Sequence, residues 1–96
     1  MYKIIFDQRV RDEDLKSLSK KDQYEILQAI YKKLSLNPFY FGKPLREPLQ
    51  GFFRLRVTKY RVIYKIYKDE VTVEVIKIGL RKDFIVYAET MKRIDG

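Results

Sequence analysis

The 96-residue sequence contains no cysteine and no histidine. Without cysteine the chain has neither a disulfide framework nor a thiolate metal site. Without histidine it lacks the commonest zinc ligand and the side chain that enzymes most often use as a general acid or base. We therefore expect no metal and no cofactor, and any catalysis must depend on other side chains.

Long apolar runs are also missing. No run approaches the ~20 residues that a membrane-spanning helix needs. The N-terminus, YKIIF followed by charged residues, lacks the apolar core of a signal peptide. We therefore expect a cytoplasmic protein that does not associate with membranes. A chain of this length has room for one domain, residues 1–96, and its apolar fraction of 46% can supply a core.

Acidic residues are scarce in one part of the chain. Between Gly42 and Lys68 there are eight basic residues and one acidic residue, Glu47. This stretch therefore carries a net charge of +7, out of +8 for the whole chain. Such a concentration favours a binding face for a polyanion, nucleic acid above all. Solubility, or the composition of a lysine-rich or thermophilic genome, is the alternative explanation.

The first half of the sequence predicts a strand at residues 2–6 and then two helices forming an antiparallel hairpin. The second helix begins at Ser19, whose spacing to Asp22 is a variant of the capping box. It ends at Asn37-Pro38, because the residue before proline is pushed out of the α region. The segment 38–51, which holds all three prolines, is predicted to be a loop.

The second half predicts strands at 52–57, 60–67 and 71–78, whose short connections indicate an antiparallel meander. Asp83 is then placed to cap a last helix with Phe84, Tyr87, Ala88 and Met91 on one face. The expected fold is an α+β domain: an antiparallel sheet of the N-terminal strand and the meander, with the helix hairpin on one face and a short C-terminal helix.

Side chains that alternate along the predicted strands separate apolar from basic residues. Leu55 and Val57 share one face of their strand, whereas Arg54 and Arg56 share the other. We expect the helix hairpin to cover the apolar face and to leave the basic face open, with Tyr67 nearby. Basic groups interleaved with aromatic rings are typical of RNA recognition. A plain solvated face is the alternative, although such faces usually mix both signs of charge.

The segments GKPLREPLQGFFRLRVTKYRVIYKI and VTVEVIKIGLRKDFIVY resemble the RelE/ParE superfamily of bacterial and archaeal toxins. The resemblance covers the whole chain and implies a fold similar to small microbial ribonucleases. For the RelE branch it implies a toxin that enters the ribosomal A site and cuts mRNA, where a 2′-hydroxyl attacks the adjacent phosphate. An acidic antitoxin, partly disordered before binding, is the implied partner beside ribosome and mRNA.

The resemblance also implies the site residues. Active-site positions of the RelE branch correspond here to two arginines of the first long strand, one of the second, one after the third, and a tyrosine of the last helix. The implied catalytic residues are Arg54, Arg61, Arg81 and Tyr87. Arg56 is the remaining implied position. Together with other cations of the basic stretch it makes up the expected RNA-binding residues: Arg56, Lys43, Arg46, Lys59 and Lys65. A sister branch uses a glutamate and a histidine; this chain has no histidine, so Glu47 is at most a remnant of that pair.

Arginine stays protonated at neutral pH, so it serves as a phosphate clamp and not as a base. Tyr87 is the remaining proton acceptor, and cations beside it would favour its phenolate form. Its spacing from Phe84 and Met91 alone favours a packing role instead. Two further functions stay open: a ParE-type toxin that inhibits DNA gyrase by binding it, and a basic RNA-binding module without catalysis.

Overall fold

The computed structural model describes residues 1–80 and 85–95. Its five strands are β1 (Lys3–Phe6), β2 (Lys43–Pro44), β3 (Phe52–Val57), β4 (Tyr60–Tyr67) and β5 (Thr72–Leu80). Its α-helices are α1 (Lys20–Ala29), α2 (Pro38–Phe41) and α3 (Ile85–Asp95). Two segments with wider, π-type turns precede and extend α1: Val10–Asp14 and Ile30–Leu34. Within the described ranges, no helix is both long enough and apolar enough to span a membrane.

The strands form one sheet in the order β1-β5-β4-β3-β2. The meander of β3, β4 and β5 is antiparallel, as predicted. β1, however, pairs with β5 in parallel, with Lys3 opposite Thr72, so the prediction of a wholly antiparallel sheet was wrong for this strand. No hairpin constrains β1, because the entire helical half separates it from the meander, and a crossover of that length permits parallel pairing.

The helix boundaries follow from local capping. Ser19 caps α1 as predicted, since its Oγ accepts a hydrogen bond of 3.1 Å from the Asp22 N–H. Asn37 ends the preceding helical segment but also begins α2, because its side chain accepts from the Tyr40 N–H at 3.2 Å and Pro38 occupies the first turn. The predicted loop 38–51 was therefore wrong in part, since α2 and β2 lie within it.

The core lies between the helical part of the chain, residues 10–34, and one face of the sheet. Tyr64 is fully buried at its centre, where its ring stacks on Phe53 at 5.7 Å between centroids and its hydroxyl donates to the Pro38 carbonyl at 2.7 Å. Gly42 leaves room for that hydroxyl, which any side chain there would strike. The other buried apolar residues of this layer include Ile26, Ile30, Leu34, Leu55, Val62, Val73 and Val75, which confirms the predicted apolar face.

The opposite face of the sheet is partly covered by α3. Val86 packs onto Gly79 of β5 so closely that a Cβ added there would lie 2.8 Å from its Cγ2. The sequence predicted that the basic face would be left open, and beside β5 this was wrong. A glycine at position 79 is what permits the helix to approach the strand this closely.

The buried stripe of α3 also differs from the prediction. It consists of Val86, Thr90 and Arg93, whereas Ala88 is exposed and Tyr87 is only half-buried. Phe84, the first residue of the predicted stripe, lies outside the described residues. The polar residues tolerate burial because each has a partner: the Thr90 hydroxyl donates to the Val86 carbonyl at 2.7 Å, and Arg93 is paired with a carboxylate described below.

Candidate nucleic-acid interface

Strand pairing gathers the predicted basic residues on the sheet face that carries α3. Lys43 of β2 lies opposite Arg54 of β3, and Arg56 lies opposite Arg61 of β4. Directly paired residues point to the same side of a sheet, so the side chains of three adjacent strands meet there. This register concentrates positive charge on one face, as the alternation of the sequence predicted.

At the edge of α3, Arg61 meets Tyr87. The Arg61 Nη1 donates a hydrogen bond of 2.5 Å to the Tyr87 hydroxyl oxygen, and its guanidinium carbon lies 5.3 Å from the centroid of the tyrosine ring. Gly79 is the β5 partner of Arg61, and Val86 packs on that glycine. Because Tyr87 directly follows Val86 in α3, the packing of one residue holds the next over the guanidinium.

Arg61 has donor capacity to spare. Its Nε is buried, yet it finds no hydrogen-bond partner in the described part of the chain. No carboxylate of residues 1–80 and 85–95 forms an ion pair with Arg61 or with Arg54. A half-buried guanidinium that forms no ion pair within this part of the chain can bind a phosphate. The arrangement therefore suits an anionic ligand placed against Arg61 and the hydroxyl of Tyr87.

A second group of charges on this face is neutralised from within; we refer to Asp14, Lys77 and Arg93 as the buried charge cluster. Asp14 accepts hydrogen bonds from Lys77 Nζ at 2.9 Å, from both Arg93 Nη atoms at 2.8 Å, and from the Ile78 N–H at 2.9 Å. The sequence did not predict this cluster. Its partners lie 63 and 79 residues from Asp14, so no local pattern could have indicated it.

Lys65, a predicted RNA-binding residue, lies apart from the Arg61–Tyr87 pair. Lys65 is four residues further along β4, about 13 Å away by the rise of a strand. Its Nζ lies over the rings of Phe52 and Tyr67, at 5.5 and 5.4 Å from their centroids. The Tyr67 hydroxyl donates to Glu74 at 2.9 Å, which raises the pKa of Tyr67. The predicted RNA-binding residues therefore form an extended surface and not one point.

The loop and turn residues of the prediction are exposed. Lys59 lies in the β3–β4 turn with its Nζ 5.6 Å from the centroid of the Tyr60 ring, and Arg46 and Glu47 lie in the segment between β2 and β3. Arg81, a predicted catalytic residue, lies outside the described residues, as does the predicted helix cap Asp83. The described residues contain no group of three or more acidic side chains suited to a metal ion.

Comparisons with known proteins point to toxins. A family model described as the ParE toxin of the type II toxin–antitoxin system parDE matches residues 4–83. Toxin RelG of Mycobacterium tuberculosis is 33% identical over 70 residues, which are 73% of this chain and 80% of RelG. Toxin RelE of the same organism is 37% identical over 68 residues, 71% of this chain and 70% of that toxin.

Solved structures agree with these sequence matches. The toxin–antitoxin complex RelBE2 from Mycobacterium tuberculosis contains a chain that superposes with a TM-score of 0.79 at 32% identity, covering 85% of this chain and 93% of that one. The isolated RelE toxin of E. coli superposes with a TM-score of 0.69 over 98% of this chain and 99% of that one. Its identity is 23%, so this second match shows a shared fold alone.

Proposed function

Because the chain belongs to the RelE/ParE superfamily and is a RelE-like toxin, we propose that it is an endoribonuclease that cuts mRNA on the ribosome. The observation that supports this proposal most strongly is the contact between Arg61 and Tyr87. It joins a half-buried cation to the hydroxyl of a half-buried tyrosine on the basic face of the sheet.

Cleavage of RNA without a metal requires three events at one phosphate. The 2′-oxygen forms a bond to phosphorus, its proton leaves, and the bond from phosphorus to the 5′-oxygen breaks, which yields a 2′,3′-cyclic phosphate and a 5′-hydroxyl. In the proposed mechanism Arg61 donates to a non-bridging oxygen as negative charge grows on it. One well-placed donor of this kind contributes about 3–4 kcal/mol in the transition state. Arg54, on the neighbouring strand, adds positive charge to the same face.

Tyr87 is the proposed proton acceptor. Its oxygen accepts a hydrogen bond from the Arg61 guanidinium, and a charged donor stabilises negative charge on that oxygen. In the proposed step this oxygen takes the proton of the 2′-hydroxyl, and a proton passes on to solvent. The leaving 5′-oxygen takes a proton from solvent and becomes the 5′-hydroxyl. Arg81, which the family resemblance implies as a catalytic residue, is proposed to hold phosphate oxygens.

The proposed partners follow from the same surface. RelBE2 is a complex of a toxin with its antitoxin, and we propose a cognate antitoxin for this chain. An acidic segment that covers the basic face would block Arg61 from RNA, and such a segment orders on contact. The ribosome and mRNA are the proposed targets once the antitoxin is absent.

The decisive experiment compares Tyr87→Phe and Arg61→Ala with the parent chain on ribosomes programmed with a defined mRNA. Each variant is expected to reduce the single-turnover cleavage rate by roughly 10²-fold or more, because it removes the proton acceptor or the phosphate donor. Lys68→Ala serves as the control, since it removes an exposed cation of the same basic stretch away from the pair. Unchanged cleavage by Tyr87→Phe would refute the assigned role.

A second candidate function is inhibition of DNA gyrase, which the match to the ParE family model favours. Expression of the chain in cells separates the two, because a nuclease destroys mRNA whereas a gyrase inhibitor causes DNA damage with intact mRNA. RNA binding with a steep salt dependence but no cleavage product would instead indicate a module without catalysis.

A further inference from the structure

The buried charge cluster joins three elements that are far apart in the sequence. Asp14 ends the helical segment that precedes α1, Lys77 belongs to β5, and Arg93 lies near the end of α3. Their side chains are 2%, 8% and 6% exposed. Arg93 Nη1 also donates to the Ile76 carbonyl at 2.9 Å, so the guanidinium binds the carboxylate and the strand together.

The cluster is one of three anchors that hold α3 on the sheet. Val86 packs on Gly79, Glu89 pairs with Lys77 at 3.3 Å, and Arg93 pairs with Asp14. Tyr87 lies between the first and second anchors, about 9 Å along the helix axis from Arg93. The position of its hydroxyl above β4 is therefore set by the docking of the whole helix.

Asp14 is the member on which the other two depend. It is the buried carboxylate shared by Lys77 and Arg93, whereas Glu89 is 47% exposed and Glu13 is 65% exposed at 3.6 Å from Arg93. Without the Asp14 charge, two buried cations would repel each other across the junction of α3 and β5. Arg93 can relieve that repulsion by moving into solvent, which lifts α3.

We propose that Asp14 is a positioning residue for the Arg61–Tyr87 pair. By holding Lys77 and Arg93 together it keeps α3 on the sheet, and the docked helix keeps the Tyr87 hydroxyl on the Arg61 guanidinium. This inference rests on the proposed endoribonuclease function and assigns to that reaction a residue that touches neither RNA nor Tyr87.

The test is a double-mutant cycle with Asp14→Asn and Tyr87→Phe in the full chain. Asp14→Asn alone is expected to lower the maximal single-turnover cleavage rate about tenfold and to leave KM within about twofold, because Arg54 and Arg61 still bind the substrate. In the Tyr87→Phe background the same substitution is expected to cause no further loss, since there is no hydroxyl left to position. Asp12→Asn, an exposed carboxylate of the same segment, is the matched control and is expected to leave the rate unchanged.

Equal losses from Asp14→Asn in both backgrounds would overturn the proposal, because they would show a general structural effect. An unchanged rate would overturn it too. If Asp14→Asn does not fold, Glu89→Gln takes its place in the cycle. This substitution weakens the contact of α3 with Lys77 and changes an exposed residue, so the fold is expected to tolerate it. The same coupling to Tyr87 is expected, with a loss of about threefold.

A readout that is independent of cleavage separates this inference from the proposed function. Nuclear Overhauser contacts between the Tyr87 ring and the Arg61 side chain are expected in the parent chain and in Asp12→Asn, and to weaken or vanish in Asp14→Asn. If the parent chain cuts no RNA but Asp14→Asn loses these contacts, the endoribonuclease proposal fails and the positioning role stands. If Asp14→Asn folds with the contacts intact, the positioning role fails.

Discussion

Lys77 and Arg93 lie on the same side of the sheet as Arg54 and Arg61, but the two pairs of cations have different surroundings. The first two are buried and share the carboxylate of Asp14. The second two are half-buried and form no ion pair with any carboxylate of residues 1–80 and 85–95. The chain thus supplies a counterion where a cation holds the fold together.

The difference has a physical basis. A buried cation without a partner destabilises the folded state by several kcal/mol, so Lys77 and Arg93 require Asp14. Arg61 keeps access to solvent and a hydroxyl partner, and it tolerates one buried N–H without an acceptor. Arg61 forms no ion pair with a carboxylate of residues 1–80 and 85–95, so it is available to an anion from outside. We interpret the first pair as structural and the second as a site for phosphate.

Removing the counterion should have the largest effect on stability. Asp14→Ala leaves two buried cations without their shared carboxylate and is expected to lower the free energy of unfolding by about 3–5 kcal/mol. Urea unfolding measures this, with Asp12→Ala as an exposed control. A loss below about 1 kcal/mol would show that the cluster is no more important than a surface ion pair.

A substitution of Arg61 should have the opposite effect: a large loss of cleavage and little loss of stability. Arg61→Lys keeps the charge but loses the fork of donors and the reach to Tyr87. It is expected to reduce the single-turnover cleavage rate by about 10²-fold, while the free energy of unfolding stays within about 1 kcal/mol of the parent. If Arg61→Lys loses stability but keeps its cleavage rate, Arg61 has a structural role and does not bind the phosphate.

Gly79→Ala joins the two regions, because its new methyl group would press on Val86 at 2.8 Å. Overpacking of this kind is expected to reduce the free energy of unfolding by about 1–3 kcal/mol. It should also lift α3 and so slow cleavage. Unfolding and cleavage are measured on the same preparation. A loss of stability with normal cleavage would show that the distance of α3 from the sheet does not determine the position of the Tyr87 hydroxyl.

The smallest effect on stability is expected from Asp7, whose carboxylate pairs with Arg9. Arg9 donates to its carboxylate at 2.8–2.9 Å and lowers the pKa of Asp7 below its usual 3.8. Because the pKa is lower in the folded state, this pair stabilises the fold above about pH 4 and the contribution disappears as the pH falls through the folded-state pKa. Asp7→Asn should remove that part of the acid dependence of unfolding. An identical acid dependence in the variant would contradict the assignment.

Local patterns in the sequence predicted the frame of the fold correctly. Alternation along 52–57 placed Leu55 and Arg56 on opposite faces, and Ser19 marked the start of α1 through its side chain. Both signals depend on neighbours within a few residues. The stripe of α3 was wrong because Thr90 and Arg93 are buried only with partners, and Asp14 lies 79 residues from Arg93.

Local sequence patterns predicted the candidate site less well. Helix spacing alone assigned Tyr87 to packing, and only the family resemblance connected it with Arg61. The structure brings these two side chains into contact because Gly79 admits Val86, a contact between β5 and α3 that neither segment reveals separately. The catalytic roles of Arg54, Arg61, Arg81 and Tyr87 stay predictions.

The central claim is that Arg61, and not the neutralised cations beside it, binds an RNA phosphate. A direct measurement is a nuclear magnetic resonance titration of the chain with a short RNA whose 2′-hydroxyls are methylated, so that it binds without being cut. We expect the Arg61 Nε–H and Tyr87 ring signals to shift with the added RNA, while the side-chain signals of Lys77 and Arg93 stay fixed. Saturating RNA that leaves the Arg61 signal unmoved would contradict it.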